Sequence, residues 1–512
     1  MESIDLNKVF EELTEINKNV KNNNLNEVYR PRIIKSVFGV EPLNKILEAI
    51  PKIFNYTEEE KYALKKIIKG GENVLIVEKL LEVSDRLDLS IGCENNFIFI
   101  YNKRYWEKIN EKLFKHFLAQ VAIKCGIEEL YAKNVLNNES LFFQFIFAAS
   151  LHKNESAGST IKINLEDGTF HVRGNNLGEV SELKPHNKED YFKYQLPFSY
   201  NPEATAPIFM KYLHRVLPDI DSQKILFEYL GYIFTKNMKL EKILILYGPG
   251  SNGKSVFFEI VTALLGTENV TTFSMENLCN DNGYYRIKID SKLLNYASES
   301  DGKFNLQIFK KLVSGEPVEA RSPYKEPVTI TDYCKFIFNA NTLPSAEHTD
   351  AFFRRPLILT FNQKISEEEK DINLSKKIIE NELSGVFNLI LEGLDRLIIQ
   401  KGFSKSKVVE ENHNNYRKKS NSVSLFLEDE NWIKSTTTKI RLKDLYSSYR
   451  LYCSETGQRA FTQNNFSERL KEMEVEFKYK GTNNYTYVWI EKKDNMLEIV
   501  PFPGMVDDIL KN

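Results

Sequence analysis

Apolar positions along this chain change their period several times, and each change marks an element or a boundary. Val9, Leu13 and Ile16, and later Leu64, Ile67 and Ile68, recur at helical spacing among charged residues, so the first 84 residues read as helices. The Asn22–Asn24 run, Pro31 and Pro51 divide them. From Leu87 onward, NNFIFIYNKRYWEKI alternates like strands, and Lys112–Ile123 returns to a helical period. Lys162–Val172 reads as a hairpin with Asp167-Gly168 at its turn. A helix over Gln223–Phe234 leads to Ile243–Leu246, a short apolar run of the kind a buried parallel strand uses. Strand and helix then alternate to about Leu397, the pattern of an α/β core. Lys401–Ser422 is polar and basic. Helices over Leu442–Thr456 and Gln463–Glu474 follow, then a strand pair around Gly481–Asn484, the order of a winged helix.

The chain has 512 residues, too many for one core, so three or four domains are expected. An apolar content of 42% supports ordinary globular folding, and the net charge of −2 argues against a uniformly basic coat for nucleic acid. A local basic surface or a ring channel stays open. Leu141–Leu151, a long apolar stretch, is about half the ~20 residues a membrane span needs, so no membrane association is expected. The start, MESIDLNKVFEEL, lacks a basic-then-apolar signal pattern. Cys93, Cys125, Cys279, Cys334 and Cys453 are far apart with no CxxC pair, which points to neither a zinc site nor a disulfide framework and fits a reducing cytoplasm.

The strongest local signal is ILILYGPGSNGKSVFFEIVTALLG, a strand, a loop and a helix in unbroken order. Gly248-Pro249-Gly250-Ser251-Asn252-Gly253-Lys254-Ser255 matches the P-loop pattern. Glycines let backbone N–H groups curl around a triphosphate, and the helix N-terminus adds partial positive charge. Lys254 is expected to reach the β- and γ-phosphates of ATP, and the Ser255 hydroxyl to ligate Mg²⁺.

Three later features narrow the class of P-loop enzyme. KLLNYASESD is an apolar strand ending in Glu299, 45 residues after Lys254. A carboxylate there polarises the attacking water and, directly or through water, holds Mg²⁺. The strand from Cys334 to Phe338 runs into Asn339-Ala-Asn341-Thr-Leu-Pro, where an amide can bond the γ-phosphate and the lytic water. Asp350-Ala-Phe-Phe-Arg354-Arg355-Pro then offers two arginines after a short helix, candidates to enter a neighbouring subunit's site as arginine fingers.

GPGSNGKS, NYASES, FKKLVSGEPVEARSPYKEPVTI, FNANTLP and FFRRPLILTF together resemble the superfamily 3 helicases, in the phage and plasmid branch that includes the poxvirus D5-like primase-helicases. YNKRYWEKI, INLEDGTFHV, LPFSYNP and FEYLGYIF resemble that family's pre-helicase domain, and LYSSYRLYCSETG its C-terminal module. The resemblance implies an AAA+-like P-loop ATPase core of α/β class, an α+β pre-helicase domain and a winged-helix-like C-terminal domain. The expected boundaries are 1–84 for the N-terminal helices, 85–236 for the pre-helicase domain and 237–400 for the ATPase. A linker at 401–421, the winged-helix-like domain at 422–495 and a tail at 496–512 complete it. Carried across, Lys254 and Ser255 take the Walker A roles, Glu299 the Walker B carboxylate, Asn341 sensor 1, and Arg355 with Arg354 the finger. Many members place two acids at Walker B, but Ser298 precedes Glu299 here, which favours Glu299 as a water-activating base.

Val318–Ile330 reads as a hairpin tipped by Pro323-Tyr324-Lys325-Glu326. The family's corresponding hairpin points into a ring channel, making Arg321 and Lys325 the candidate DNA contacts. In the C-terminal module Arg459, Asn464, Arg469 and Lys471 flank the expected recognition helix, with Lys478 and Lys480 on the wing. No paired acids followed by a well-placed histidine occur before the P-loop, so no primase is expected in this stretch, and a primase or polymerase is a candidate replication partner. The resemblance implies an ATP- and Mg²⁺-dependent replicative helicase or initiator of a phage, plasmid or other mobile element. It would act as a homo-oligomeric, hexameric ring on single-stranded or forked DNA in a bacterial or infected-host cytoplasm. The competing expectation is a ring-forming P-loop ATPase of defence or DNA sensing that does not unwind.

Overall fold

The structure, a computed structural model, describes residues 40–54, 71–95, 97–151, 161–172, 181–236, 238–298, 304–343, 350–458, 460–479 and 485–493. Glu299, Arg459, Lys480, the turn at 481–484, the tail at 496–512 and the helices expected around Val9–Ile16 and Leu64–Ile68 lie outside the described residues.

The first body begins with helices α1 (Glu41–Ala49) and α2 (Gly71–Arg86). An antiparallel sheet of β1 (Ile91–Glu94), β2 (Phe97–Tyr101) and β3 (Trp106–Ile109) follows, then α3 (Glu111–Cys125), α4 (Glu129–Lys133) and α5 (Val135–Ala148). Asn110 caps α3 by accepting from the Lys112 and Leu113 amides. Leu43, Ile46, Val77, Ile98, Ile100, Phe114 and Phe145 belong to one apolar cluster. On either side of the boundary expected at 84/85, α1 and α2 bury their apolar faces in the same core as the strands after them.

The next elements are the antiparallel strands β4 (Ile161–Asn164), β5 (Thr169–Val172) and β6 (Glu182–Lys184), then helices α6 (Pro207–Val216) and α7 (Ile220–Tyr232). Phe209, Leu226 and Tyr229 share a core with Leu244, Leu246, Phe387 and Leu394, so the expected boundary at 236/237 is not a break in packing either. α7 lies hard against the helix Leu383–Gln400. A Cβ on Gly231 would sit 2.7 Å from Leu394 Cβ, and one on Gly393 2.5 Å from the Phe227 carbonyl carbon. Only glycine permits that approach.

The central sheet holds five parallel strands in the order β13-β7-β12-β9-β8. They are β7 (Ile243–Tyr247), β8 (Val270–Thr271), β9 (Leu294–Ser298), β12 (Lys335–Ala340) and β13 (Pro356–Thr360). β7 pairs Leu244 with Ile337 of β12 and with Leu357 of β13. Its residues from Ile243 to Leu246 are all buried, as a strand covered on both faces requires. One face carries α8 (Lys254–Leu265) with α6, α7, α12 (Leu374–Asn381) and α13 (Leu383–Gln400). The other carries α9 (Met275–Leu278), α10 (Leu306–Ser314) and α11 (Asp350–Phe353). A two-stranded hairpin, β10 (Val318–Ala320) with β11 (Val328–Ile330), projects between α10 and β12.

The linker expected at 401–421 is corrected by α14 (Lys407–Lys419). Val409 and Tyr416 are buried in the two cores of the sheet, and Asn412 Nδ2 donates to Thr360 Oγ1 at 3.2 Å. The segment looked polar because one narrow face supplies all of its docking. Beyond it, α15 (Ser422–Asp429), α16 (Leu442–Glu455) and α17 (Gln463–Glu472) close a separate apolar cluster. They do so with β14 (Trp432–Lys434), β15 (Ile440–Arg441), β16 (Phe477–Tyr479), β17 (Thr486–Val488) and β18 (Ile490–Lys492), which pair as β14-β18 and β15-β17-β16. Among the described residues no helix is long and apolar enough to cross a membrane.

Candidate nucleotide site

The loop Gly248–Gly253 leaves the C-terminal end of β7, and the ends of both neighbouring strands hold it. The Gly248 amide donates to the Ala340 carbonyl at 3.0 Å, tying the loop to the end of β12. On the β13 side, the Phe361 amide donates to the Tyr247 carbonyl at 2.7 Å. Asn252 Nδ2 reaches the Phe361 carbonyl at 2.7 Å, and the Ile365 amide donates to the Ser251 carbonyl at 3.0 Å. Asn252 is thereby a brace of the loop and is itself buried.

The glycines have distinct reasons. Gly253, the N-cap of α8, has φ +89°, and a Cβ there would lie 2.8 Å from Val216 Cγ1. A Cβ on Gly248 would lie 2.3 Å from the Phe361 carbonyl oxygen. Gly250 has nothing within 4 Å of such an atom. Ser251 sits at φ 59°, a left-handed conformation that a non-glycine residue adopts at some cost.

Lys254 opens α8 and is buried. Its Nζ donates to the Gly248 carbonyl at 2.5 Å, Asn252 Oδ1 at 3.1 Å and the Pro249 carbonyl at 3.3 Å. Burial lowers the pKa of this amine, which sharpens its preference for an anionic partner. Ser255, one residue on, is exposed in the first turn of the helix.

Sequence reasoning missed Tyr212. Its hydroxyl, on α6, donates to the Gly253 carbonyl at 2.8 Å, so a helix outside the P-loop motif props the loop's last glycine. The contact spans 41 positions and carries no local spacing signal.

β12 brings its own end alongside. Asn339 Oδ1 accepts from Tyr296 OH on β9 at 3.0 Å, which ties Asn339 to the sheet. Asn341, just past the strand, is exposed. β9 ends at exposed Ser298, and the following Glu299 lies outside the described residues. Among those residues no group of three or more His, Cys, Asp or Glu gathers to hold a metal.

The two arginines separate sharply. Arg355 is 4% exposed, and its Nη2 bonds Ser314 Oγ at 3.0 Å and Glu241 Oε2 at 3.2 Å within its own chain. Arg355, expected to lead as a finger, is thus enclosed against Ser314 and Glu241 of its own chain. Arg354 Nη2 lies 2.6 Å from the same Glu241 carboxylate, but its side chain is 61% exposed.

The hairpin forms as expected, with Tyr324 fully exposed at its tip. Lys325 Nζ lies 2.8 Å from Glu111 Oε2 at the start of α3, and Arg321 Nε donates to the Lys325 carbonyl at 3.3 Å. In the C-terminal body Asn464, Lys471 and Lys478 are exposed. Arg469 is largely enclosed, stacked 4.7 Å from the Phe461 ring centre and paired with Glu472.

Three family models match separate regions. A D5 N terminal-like model covers 86–218, a family of unknown function (DUF5906) covers 246–355, and a poxvirus D5 protein-like model covers 418–497. The apo A form of the NrS-1 C-terminal region is 12% identical over 82% of this chain and 100% of that one, at a TM-score of 0.44. A second A-form apo structure of the same region is 13% identical over 80% and 98%, at 0.42. The DUF5906 match, to a family of unknown function, runs from Leu246 to Arg355. With D5-type sequence before and after that segment, the chain fits the D5-like primase-helicase family on both sides of its α/β core.

Proposed function

We propose that this protein is an ATP-hydrolysing motor that works as a ring on DNA during replication of a phage, plasmid or other mobile element. The observation that carries the proposal is the braced loop at the C-terminal end of β7, with the end of β12 bonded to it through Gly248 and Ala340. Ligands of open α/β sheets bind at that edge. The placement of β12 between β7 and β9 supports an AAA+-like core, because it sets a polar strand end between the phosphate loop and the acidic strand.

The site fits a nucleoside triphosphate with Mg²⁺. Glycines stand where side chains would strike Phe361 or Val216, leaving backbone N–H groups to face phosphate oxygens. Lys254 would exchange its loop carbonyls for the β- and γ-phosphates, and Ser255 would offer its hydroxyl to the metal. Bound Mg²⁺ supplies neutralisation of phosphate charge. Glu299 would orient and deprotonate the attacking water, and Asn341 would hold it against the γ-phosphate. Arg354 replaces Arg355 as the residue that completes a neighbouring subunit's site in a hexamer. Arg321 and Lys325 would contact the DNA backbone, and the C-terminal body, read as winged-helix-like, would dock DNA or a replication partner.

ATP turnover by full-length protein tests the reading, together with displacement of a strand from a forked duplex and electron micrographs with an ATP analogue. Lys254→Ala should weaken nucleotide binding, whereas Glu299→Gln should bind ATP and fail to hydrolyse it. Hydrolysis with rings but no displacement would favour a non-unwinding ATPase of defence or DNA sensing. Near wild-type hydrolysis by Glu299→Gln would remove the Walker B role from that residue.

A further inference from the structure

A cavity of about 590 Å³ lies between the first body and the sheet domain, away from the P-loop. One wall is the outer face of β2 and β3. Ile98, Ile100 and Ile109 point into the core of the first body, which leaves Phe97, Phe99 and Lys108 on the other side. The facing wall is the loop from Asn282 to Lys292, with Ser322 and Pro323 from the hairpin.

That loop is anchored. Arg286 Nε donates to the Glu319 carbonyl at 2.6 Å and Nη1 to the Leu278 carbonyl at 3.0 Å, and the Arg321 amide donates to the Gly283 carbonyl at 3.2 Å. Loop and hairpin therefore form one wall. Lys292 and Asp290 stand just before β9, and Asp290 bridges Tyr333 just before β12. The cavity is thus at the N-terminal end of strands whose C-terminal end carries the P-loop, about 16 Å away for a five-residue strand.

Its chemistry is basic and aromatic together. Lys193 is held by Glu94 at 2.8 Å, and Lys292 by the Glu268 carbonyl. Lys108 and Lys288 instead rest over rings: Lys108 Nζ is 3.2 Å from the Phe97 centre and Lys288 Nζ 5.6 Å from the Tyr285 centre. Lys292, Lys193 and Lys325 crowd the Lys108 amine with like charge, opposed by Asp290. An anion would relieve that crowding. Asp290, the carboxylate of the lining, is hydrogen-bonded by Ser291 Oγ at 3.0 Å. Tyr284 is exposed at the rim.

We propose that this cavity is a second nucleotide site, stacking one base on Tyr284 at its rim while Lys108 and Lys288 hold the adjoining phosphate. With Lys193 paired to Glu94, Lys108, Lys288 and Lys292 against Asp290 select an anion, and rings beside them select a planar base. The volume suits one nucleotide unit. That unit has two sources, a free nucleoside monophosphate or one position of a single strand. The assignment stands independently of the ATPase reading.

The test uses full-length protein with saturating ADP, so that the P-loop does not contribute. Fluorescently labelled dT12 is titrated by anisotropy, with dTMP as competitor, for wild type, Lys108→Ala, Lys288→Ala and Tyr284→Ala. These side chains are exposed, so the variants should fold. We expect each substitution to weaken dT12 about 3- to 10-fold, and each lysine change to make the salt dependence shallower. Competition by dTMP that is lost in the same variants identifies a mononucleotide pocket, and weakening of dT12 without dTMP competition identifies a strand position. A 4-thiothymidine-labelled dT12 should crosslink within the peptide carrying Tyr284 and Tyr285. Unchanged dT12 and dTMP binding in all three variants would overturn the proposal. No binding of either probe at low salt would overturn it as well.

Discussion

Arg355 Nη2 lies 3.2 Å from Glu241 Oε2, and the arginine's side chain is only 5% exposed. Glu241 holds φ 54° just before β7, and the Ile243 amide donates to the Arg355 carbonyl at 3.0 Å. The pair therefore staples the entry of the P-loop strand to the entry of β13. Arg354 shares the same carboxylate from the solvent side.

The two arginines should separate stability from catalysis. Arg355→Ala leaves Ser314 and part of Glu241 without a partner, and should lower Tm by about 2–8 °C. Arg354→Ala removes an exposed pair that contributes about 0–1 kcal/mol, so its Tm should stay near wild type while ATP turnover falls. Mixing Arg354→Ala with Lys254→Ala subunits should restore part of the turnover. A lower Tm for Arg354→Ala than for Arg355→Ala would reverse the assignment.

The loop glycines should not be equivalent. Gly253→Ala forces a side chain at φ +89° against Val216 and should abolish nucleotide binding. Gly250→Ala meets no neighbour and should leave Tm unchanged. Tyr212→Phe removes the prop under Gly253 and should weaken ADP binding about 3- to 10-fold, as loss of one buried hydrogen bond implies. Calorimetric titration of ADP checks all three.

The end point of a C-terminal truncation should matter. Ending the chain after Ser420 keeps α14, with Val409 and Tyr416 seated in the sheet cores, and should preserve ATPase activity. Ending it at Lys401 removes those contacts together with the bond from His413 to the Phe353 carbonyl. That protein should melt lower and lose turnover. Equal activity in the two truncations would make α14 dispensable.

The Lys325–Glu111 pair should modulate strand binding. Lys325→Ala should leave basal ATPase within a few-fold of wild type, weaken dT12 and reduce the salt slope by about 0.7. Glu111→Gln frees Lys325 and should strengthen dT12 binding. A weaker Glu111→Gln would assign Glu111 to the site itself.

The parts of this protein legible in its sequence are those in which neighbours in space are neighbours in the chain. The P-loop strand, loop and helix are contiguous, and the hairpin at 318–330 needs only short-range pairing, so spacing and turn chemistry announce them. The D5-like flanks are legible because whole motifs survive as strings. Arg354 and Arg355 are identical as letters, and only the seating of β13 beside β7 sends one inward against Glu241 and Ser314. Tyr212 reaches Gly253 across 41 positions and Lys325 reaches Glu111 across 214, distances over which no periodicity persists. The core that α1 and α2 share with β1–β3, the packing of Phe209 and Leu226 with Leu244, and the docking of α14 on the sheet were illegible for the same reason. A helix with one narrow apolar face looks like a spacer until a second surface covers that face, and burial against a distant partner is a property that only the folded chain possesses.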